Sequence, residues 1–203
     1  IHRPYAKPLV VMSAKFLLHH SACVSSLREM TLGSFFQRVI TEGGRGDNIS
    51  HRMKTPLVED AQIRRVLFCS GKIFYNLFHA REAKKINDVT IIRIEQIAPF
   101  PYDLIDPVLL RFPNAELVWC QEEPKNMGAY GYVKPRIETV MKSIKERQLG
   151  EIYFNVDEEL YNVRKVFYVG RRPSAAPAHG GFKQHVVEQK EVIDRALSDK
   201  PLK

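Results

Sequence analysis

The chain has 203 residues, of which 44% are hydrophobic and 27% are charged. This length and composition suit one large domain with a sizeable core and argue against disorder. The formal net charge of +8 favours anionic partners. The lysines and arginines are scattered, however, and no basic helix is interleaved with aromatic residues, so nucleic-acid binding is not favoured. No apolar stretch reaches membrane-spanning length, which predicts a soluble protein.

The amino-terminal part contains one predicted strand. Residues 8–13 (PLVVMS) are apolar and β-branched and predict a short strand, and residues 15–20 predict a helical turn. Residues 21–38 are interpreted as a connection. Residues 41–62 are rich in Gly, Asp, Asn, Ser and charge, and predict a surface loop or linker.

Strand and helix signals alternate through the rest of the chain. Strands are predicted at 65–70, 89–94, 117–120 and 165–169, with helices beginning at Gly71 and spanning 99–111, 130–145 and 184–197. This alternation predicts an α/β domain with a mostly parallel sheet. The charged residues 146–164 are interpreted as an insertion of uncertain structure.

Three cysteines, Cys23, Cys69 and Cys120, are too widely spaced to suggest a zinc site or a disulfide framework. The chain is therefore expected in a reducing compartment. Cys69 and Cys120 end apolar runs, where a buried thiol is favoured over a nucleophile. The chain begins at Ile1 and shows no signal or transit pattern, so we interpret it as a fragment or a processed piece.

Polar side chains follow the predicted strand 117–120. Gln121, Glu122 and Glu123 come directly after it, and Pro124 is expected to end the strand pairing. Ligands of open α/β sheets bind at the carboxyl ends of strands, so this loop has positional reasons to be functional. The alternative is that Glu122 and Glu123 are ordinary solvated carboxylates.

Two further strand ends carry cationic side chains. Ser70, Gly71 and Lys72 form a strand-to-helix turn whose backbone amides, hydroxyl and ammonium suit an anion. A P-loop is excluded, because Val66 stands where its first glycine belongs. Arg171 and Arg172 follow the last strand, and guanidinium groups suit phosphate or carboxylate. The alternatives are a plain turn at 70–72 and an ion pair between subunits at Arg171 and Arg172.

No complete catalytic site emerges from the sequence. There is no dinucleotide fingerprint and no nucleophile elbow. His19 and His20 are adjacent, and His179 and His185 are six residues apart, which matches no metal-binding spacing on one helix face. We therefore predict neither catalytic residues nor a metal site.

Several segments, taken in order, carry a family resemblance. They are KPLVVMSAKFLLHH, FCSGKIFYNL, IIRIEQIAPFPYDLI, VWCQEEPKNMGAYGYVKPR and YVGRRPSAAPAHGGFKQHVVEQKEVIDRAL. Together they resemble the carboxyl-terminal domain of the thiamine-diphosphate-dependent 2-oxoglutarate dehydrogenase component. The resemblance implies that residues 1–203 form one domain of a larger subunit. It also implies a three-layer α/β/α sandwich like the transketolase carboxyl-terminal domain, with about five mostly parallel strands.

The resemblance also implies a function for the parent enzyme. That enzyme oxidatively decarboxylates 2-oxoglutarate in the tricarboxylic acid cycle and succinylates the lipoyl group of its acyltransferase partner, using thiamine diphosphate and magnesium. The family's catalytic motifs lie in upstream domains, so we expect this piece alone to be inactive. The roles implied for this piece are contact with the other domains of the subunit, assembly of the homodimer and support of the active-site channel. The segment SFFQRVITEGG is closer to eukaryotic members, which implies the mitochondrial matrix, or the cytoplasm for a bacterial protein.

An effector site is a further implication. Some actinobacterial relatives bind acetyl-CoA on this domain, and Ser70, Lys72, Gln121, Arg171 and Arg172 are the candidate ligands here. Two alternatives stay open: an autonomous CoA- or nucleotide-binding regulatory module, and the equivalent domain of a 2-oxoadipate dehydrogenase. An assembly domain predicts a large apolar face that is exposed in isolation, whereas a regulatory module predicts a formed cationic pocket and a well-covered surface.

Overall fold

Five strands form the sheet in a computed structural model that describes residues 4–49, 52–149, 164–178 and 180–202. The strands are β1 (Val39–Ile40), β2 (Arg65–Cys69), β3 (Val89–Ile94), β4 (Glu116–Pro124) and β5 (Val166–Arg171). The order is β1-β3-β2-β4-β5, and only β1 runs antiparallel to its neighbour. The helices are α1 (Ile73–Ala83), α2 (Tyr102–Arg111), α3 (Tyr130–Leu149) and α4 (Phe182–Ala196).

The helices cover both faces of the sheet. Side chains of a strand point alternately to its two faces, so Phe68 and Trp119 pack on one side with α2 and α3. Leu67 and Val118 pack on the other side with α1 and α4. This confirms the predicted three-layer sandwich. The four apolar side chains predicted on one face of α1 are all buried: Ile73, Phe74, Leu77 and Phe78. No helix in the described part of the chain is long and apolar enough to cross a membrane.

The predicted strand at residues 8–13 is wrong. These residues form no strand, and the exposed fraction of Met12 is 92%. Their apolar, β-branched composition is typical of a strand, but a strand also needs a paired neighbour. The short strand β1 lies instead at the edge of the sheet, where Val39 pairs with Ile94 of β3.

The predicted end of β4 at Cys120 is wrong, whereas Pro124 is its last residue, as expected. The strand continues past Cys120 to Pro124, which is in register with Arg171 of β5, and the pairing is irregular between Cys120 and Pro124. Gln121, Glu122 and Glu123 are therefore part of the strand and not of a loop. Proline lacks an N–H group, yet it is tolerated at such an irregularity near the strand end.

Two other boundaries differ from the prediction. Helix α2 begins at Tyr102, three residues after the predicted start at Pro99. Helix α3 runs to Leu149, so the first residues of the predicted insertion 146–164 are helical. Residues 150–163 of that insertion, as well as His179, lie outside the described residues.

The glycine-rich segment 41–62 is not a surface loop throughout. Glu42 lies within this segment, and its side chain is 5% exposed. It forms an ion pair with the fully buried Arg81, with 2.6 Å between Arg81 Nη2 and Glu42 Oε1. Thr90 Oγ1 and the Ile91 backbone N–H also donate to Glu42. Ile49, in the same segment, is 2% exposed. A guanidinium with no solvent contact needs a carboxylate, so this pair fixes the segment against α1 and β3.

Replacing Glu42 with alanine is expected to destabilise the chain by about 3–5 kcal/mol, because Arg81 would keep a buried, unpaired charge. Urea unfolding followed by circular dichroism measures this loss. Glu59→Ala is the matched control, since Glu59 is exposed, and it should change the free energy of unfolding by less than about 0.5 kcal/mol. Equal stability of Glu42→Ala and the wild type would contradict the structural role of this pair.

Candidate functional site

The parallel sheet brings the predicted strand ends to one edge. β2, β4 and β5 are neighbours and run in the same direction. The turn after β2 that carries Ser70 and Lys72, the distal part of β4 with Gln121, and the end of β5 with Arg171 and Arg172 therefore share the carboxyl edge. Their side chains nevertheless have different roles.

Gln121 is part of the framework of the turn after β4. Its side chain is 4% exposed. Oε1 accepts from Trp119 Nε1 at 2.8 Å and from the Tyr130 backbone N–H at 3.1 Å. Nε2 donates to the Pro124 and Met127 carbonyls at 3.1 and 2.7 Å. A buried amide in these contacts has no free donor or acceptor for a ligand. The prediction that Gln121 binds an effector therefore loses its physical basis.

Gly128 allows that framework to close. Its φ of +67° lies in the left-handed region, and a Cβ there would lie 2.8 Å from Gln121 Nε2. Glycine is the residue that both conditions favour. The short turn between β4 and α3 thus depends on Gln121 and Gly128 together.

The positive charge of Lys72 is neutralised by a carboxylate on a neighbouring strand. Its Nζ lies 2.5 Å from Glu122 Oε1, and the two side chains are 28% and 25% exposed. Gly71 has a φ of +70°, which permits the tight turn between β2 and α1. Glu122 is therefore an ion-pair partner rather than a free carboxylate, and Lys72 is not a free cation for a ligand.

A cleft of about 710 Å³ lies where β5 ends, between the segment that follows it and α4. Arg171 and Arg172 line this cleft, whereas Ser70, Lys72 and Gln121 do not. Arg171 is 9% exposed. The structure therefore brings together two of the five predicted site residues.

Helix α4 holds the Arg171 guanidinium. The Nη2 atom of Arg171 lies 2.9 Å from His185 Nδ1, and its Nε lies 3.3 Å from Glu188 Oε2. Arg172 is exposed and has no carboxylate partner among the described residues. Of these two arginines, Arg171 is therefore held in position, whereas Arg172 can meet an anion.

The sequence interpretation missed the α4 contribution to this cleft. The missed residues are Gln184, Glu188, Glu191 and Arg195. They are spaced four, three and four residues apart, which places them on one face of a helix. That polar stripe, beside the buried Val192 that also lines the cleft, was the signal that would have identified the wall.

The buried thiols at the same edge are chemically inert. Burial raises the pKa of Cys120 to about 12 and raises the pKa of Cys69 well above its usual value. Both thiols are therefore protonated at neutral pH, and a protonated thiol is a poor nucleophile. This agrees with their predicted structural role. Cys23 is exposed.

Comparison with known proteins defines the family. A mostly parallel sheet between helix layers, with an arginine-lined cleft at its carboxyl edge, places the chain among α/β/α sandwich domains. Residues 24–197 match the family described as 2-oxoglutarate dehydrogenase C-terminal, and the chain belongs to this family. The family resemblance seen in the sequence is confirmed.

Individual relatives agree with this assignment. The chain is 40% identical over 195 residues to "2-oxoglutarate dehydrogenase-like, mitochondrial" of Xenopus laevis and 38% identical over 196 residues to the protein of that name in Pongo abelii. It is 38% identical over 197 residues to the "2-oxoglutarate dehydrogenase E1 component" of Brucella anthropi. These alignments cover 96% or 97% of this chain but only 16% to 18% of each relative. The chain thus corresponds to a small part of those proteins.

Gln121→Ala is expected to destabilise the chain by about 2–4 kcal/mol, because it leaves the Trp119 and Tyr130 donors unpaired in a buried turn. Chemical unfolding monitored by the fluorescence of the single Trp119 measures this effect. Gln184→Ala, an exposed glutamine on α4, serves as the control and should leave the unfolding midpoint nearly unchanged. A stable Gln121→Ala variant would mean that the turn does not depend on this amide.

Proposed function

We propose that this chain is a single carboxyl-terminal domain of a 2-oxoglutarate dehydrogenase subunit. The subunit would decarboxylate 2-oxoglutarate oxidatively and succinylate the lipoyl group of its acyltransferase partner. Family membership and the names of the relatives support this proposal. 2-Oxoadipate is the alternative substrate, because it differs from 2-oxoglutarate by one methylene group.

Thiamine diphosphate and magnesium would be bound by other domains of the subunit. Within the described ranges, no group of three His, Cys, Asp or Glu side chains is placed to hold a metal ion. The described residues therefore offer no such cluster, and we propose that this chain does not hold the cofactors. Its part in the reaction would be structural.

The observation that carries this role is the exposed apolar amino-terminal segment, residues 5–36. Leu9, Met12 and Leu27 are 86%, 92% and 83% exposed. The other large exposed apolar side chains of the segment are Tyr5, Val10, Val11, Phe16, Leu18, Val24, Met30, Leu32, Phe35 and Phe36. Soluble monomers rarely expose so much contiguous apolar surface. We infer that the rest of the subunit, or a second subunit of a homodimer, covers this segment.

The segment is attached to the domain near its middle. Ala22 is 4% exposed, and the carbonyls of Ser21 and Val24 accept hydrogen bonds from Arg52 and Asn48. Only two short 3₁₀ helices, Lys15–His19 and Leu27–Met30, interrupt its irregular backbone. The segment also contacts the domain through Leu17, Glu29 and Phe35. It is thus held at several points while most of its apolar side chains stay exposed, which suits docking onto another domain.

Docking can be tested by producing this chain and the upstream domains of the subunit as separate polypeptides. We expect them to co-purify and to restore 2-oxoglutarate-dependent reduction of the lipoyl group. The double variant Leu9→Glu, Met12→Glu should abolish both, because docking would bury two unpaired carboxylates. Activity with 2-oxoadipate, measured in parallel as kcat/KM, separates the two substrates.

Leu110→Glu is the matched control for docking. Leu110 is 49% exposed on α2, outside the segment, and its replacement should leave co-purification and activity unchanged. Circular dichroism establishes that all variants are folded. Full activity of the double variant would overturn the docking role.

The protein's location follows from the same proposal. The names of two vertebrate relatives include the word mitochondrial. We therefore propose the mitochondrial matrix. Because other relatives of similar identity are from Brucella, a bacterial origin would instead place the protein in the cytoplasm.

An effector-binding role is the second candidate. The 710 Å³ cleft with Arg171, Arg172 and Arg195 has the size of a small-molecule site. We propose that it binds acetyl-CoA or a related anionic effector, with Arg172 contacting the phosphates. The alternative of an autonomous CoA- or nucleotide-binding module depends on the same cleft.

Calorimetric titration with acetyl-CoA tests the effector role. We expect saturable binding that Arg172→Ala weakens about tenfold, as loss of one charge-assisted contact does. Lys72→Ala should bind as the wild type does, because Lys72 does not line the cleft. Absence of binding to the folded chain would remove the effector proposal and leave the docking role untouched.

A further inference from the structure

A second groove, of about 410 Å³, runs along the outer edge of β5. We term it the β5 edge groove. Among the described residues, no acidic side chain lines it, and six basic side chains do: Lys125, Lys134, Lys165, Arg171, Arg172 and Arg195. Tyr130 and Tyr168 form part of its wall. β5 is the last strand of the sheet, so one side of this strand has no neighbouring strand in the described structure.

Only some of these cations are neutralised. Lys134 pairs with Glu138 at 3.2 Å, and Arg171 pairs with Glu188. Lys125, Lys165 and Arg172 have no carboxylate within salt-bridge distance in the ranges that the structure describes. Lys125 instead lies over the ring of Tyr168, with 5.9 Å from Nζ to the ring centroid. The groove therefore keeps at least three unmatched positive charges.

The positions of these charges limit what can neutralise them. Lys165 directly precedes β5, and Arg172 directly follows it. Seven residues of strand at about 3.3 Å each separate their Cα atoms by about 23 Å. A phosphate or diphosphate group is much shorter than this distance and cannot meet both ends. An extended peptide covers the distance with about seven residues and can carry a carboxylate at every second one.

We propose that the β5 edge groove binds an extended acidic segment of a partner protein. Recognition is by side-chain charge and not by addition of a strand. Three backbone groups of β5 already have side-chain partners, which disfavours strand addition. The Val166 N–H donates to Glu138 at 3.4 Å, its carbonyl accepts from Tyr130 at 3.4 Å, and the Gly170 carbonyl accepts from Arg195 at 3.5 Å.

This inference goes beyond the proposed docking and effector roles and is separable from them. Lys125 and Lys165 line the β5 edge groove but not the effector cleft. Neither residue lies in the apolar segment 5–36. A change at these two lysines therefore tests the groove alone.

Fluorescence anisotropy with a labelled peptide of about twelve alternating Glu and Ser residues tests the proposal, since twelve residues exceed the length of the groove. We expect saturable binding to the 203-residue chain at low salt, and weaker binding as salt increases. The double variant Lys125→Glu, Lys165→Glu should weaken binding at least about tenfold, because like charges then oppose the peptide. Lys125→Gln, Lys165→Gln should give a smaller loss in the same direction.

Lys190→Glu is the charge-matched control for Lys125→Gln, Lys165→Gln, because both variants lower the net charge by the same amount. Lys190 is exposed on α4 and lines neither the groove nor the effector cleft. Its replacement should alter binding by less than about twofold, the effect of net charge alone. An equal loss in this variant would show non-specific attraction and overturn the proposal, as would the absence of peptide binding to the folded wild type.

Two further measurements identify what binds in the β5 edge groove. Inorganic pyrophosphate that displaces the peptide as effectively as unlabelled peptide would indicate a compact phosphate site and contradict an extended partner. Residues 151–163 contain four acidic and no basic side chains. If the peptide bound only after their deletion, the chain's own acidic segment would be the occupant, and an external partner would be excluded. Failure of pyrophosphate to compete, with unchanged binding after the deletion, supports the proposal.

Discussion

The position of helix α4 depends on one buried guanidinium. Arg65, at the start of β2, is 1% exposed and donates to Glu116 Oε2 at 2.7 Å, which joins β2 to β4. The same group donates to the carbonyls of Ala196 and Ser198 at 2.7 and 2.8 Å. These carbonyls lie at the carboxyl end of α4, where a helix lacks internal donors and where the helix dipole favours a cation. Arg65 thus satisfies the buried helix end and fixes it to the sheet.

A second arginine positions the other half of the same helix. Arg171 holds His185 and Glu188 of α4 against the end of β5. With Arg65 near one end and Arg171 toward the other, α4 has a defined orientation across the sheet. The orientation of α4 also determines the walls of the 710 Å³ cleft and of the β5 edge groove, because Arg195 of α4 lines each of them. The charge of Arg171 is largely used in this internal role, so an anionic ligand would meet mainly Arg172 and the lysines.

The sequence predicts elements whose signals are local. β3 was predicted with its observed bounds, and the buried face of α1 was predicted from helical spacing, because an apolar run or period reports burial directly. The sequence could not predict that Glu42 neutralises Arg81, which is 39 positions away, so a glycine-rich segment was interpreted as surface. For the same reason the sequence could not show that the Gln121 amide is used internally, since its partners meet only in the folded turn. The convergence of Arg171 and Arg172 on one cleft could be predicted, because strand ends converge in any parallel sheet.

The two unassigned surfaces of the domain differ in chemistry, and this difference indicates different kinds of contact. The segment 5–36 is apolar, and permanent interfaces are more apolar than transient ones because their surfaces are never exposed to water after assembly. The β5 edge groove is cationic, and electrostatic complementarity mainly accelerates encounter and selects partners, with a strength that salt reduces. A domain that is permanently attached through its amino-terminal segment would still present the β5 edge to a partner that binds and leaves. Such a division suits the proposed roles, in which one surface maintains the structure and the other meets an extended acidic segment of a partner.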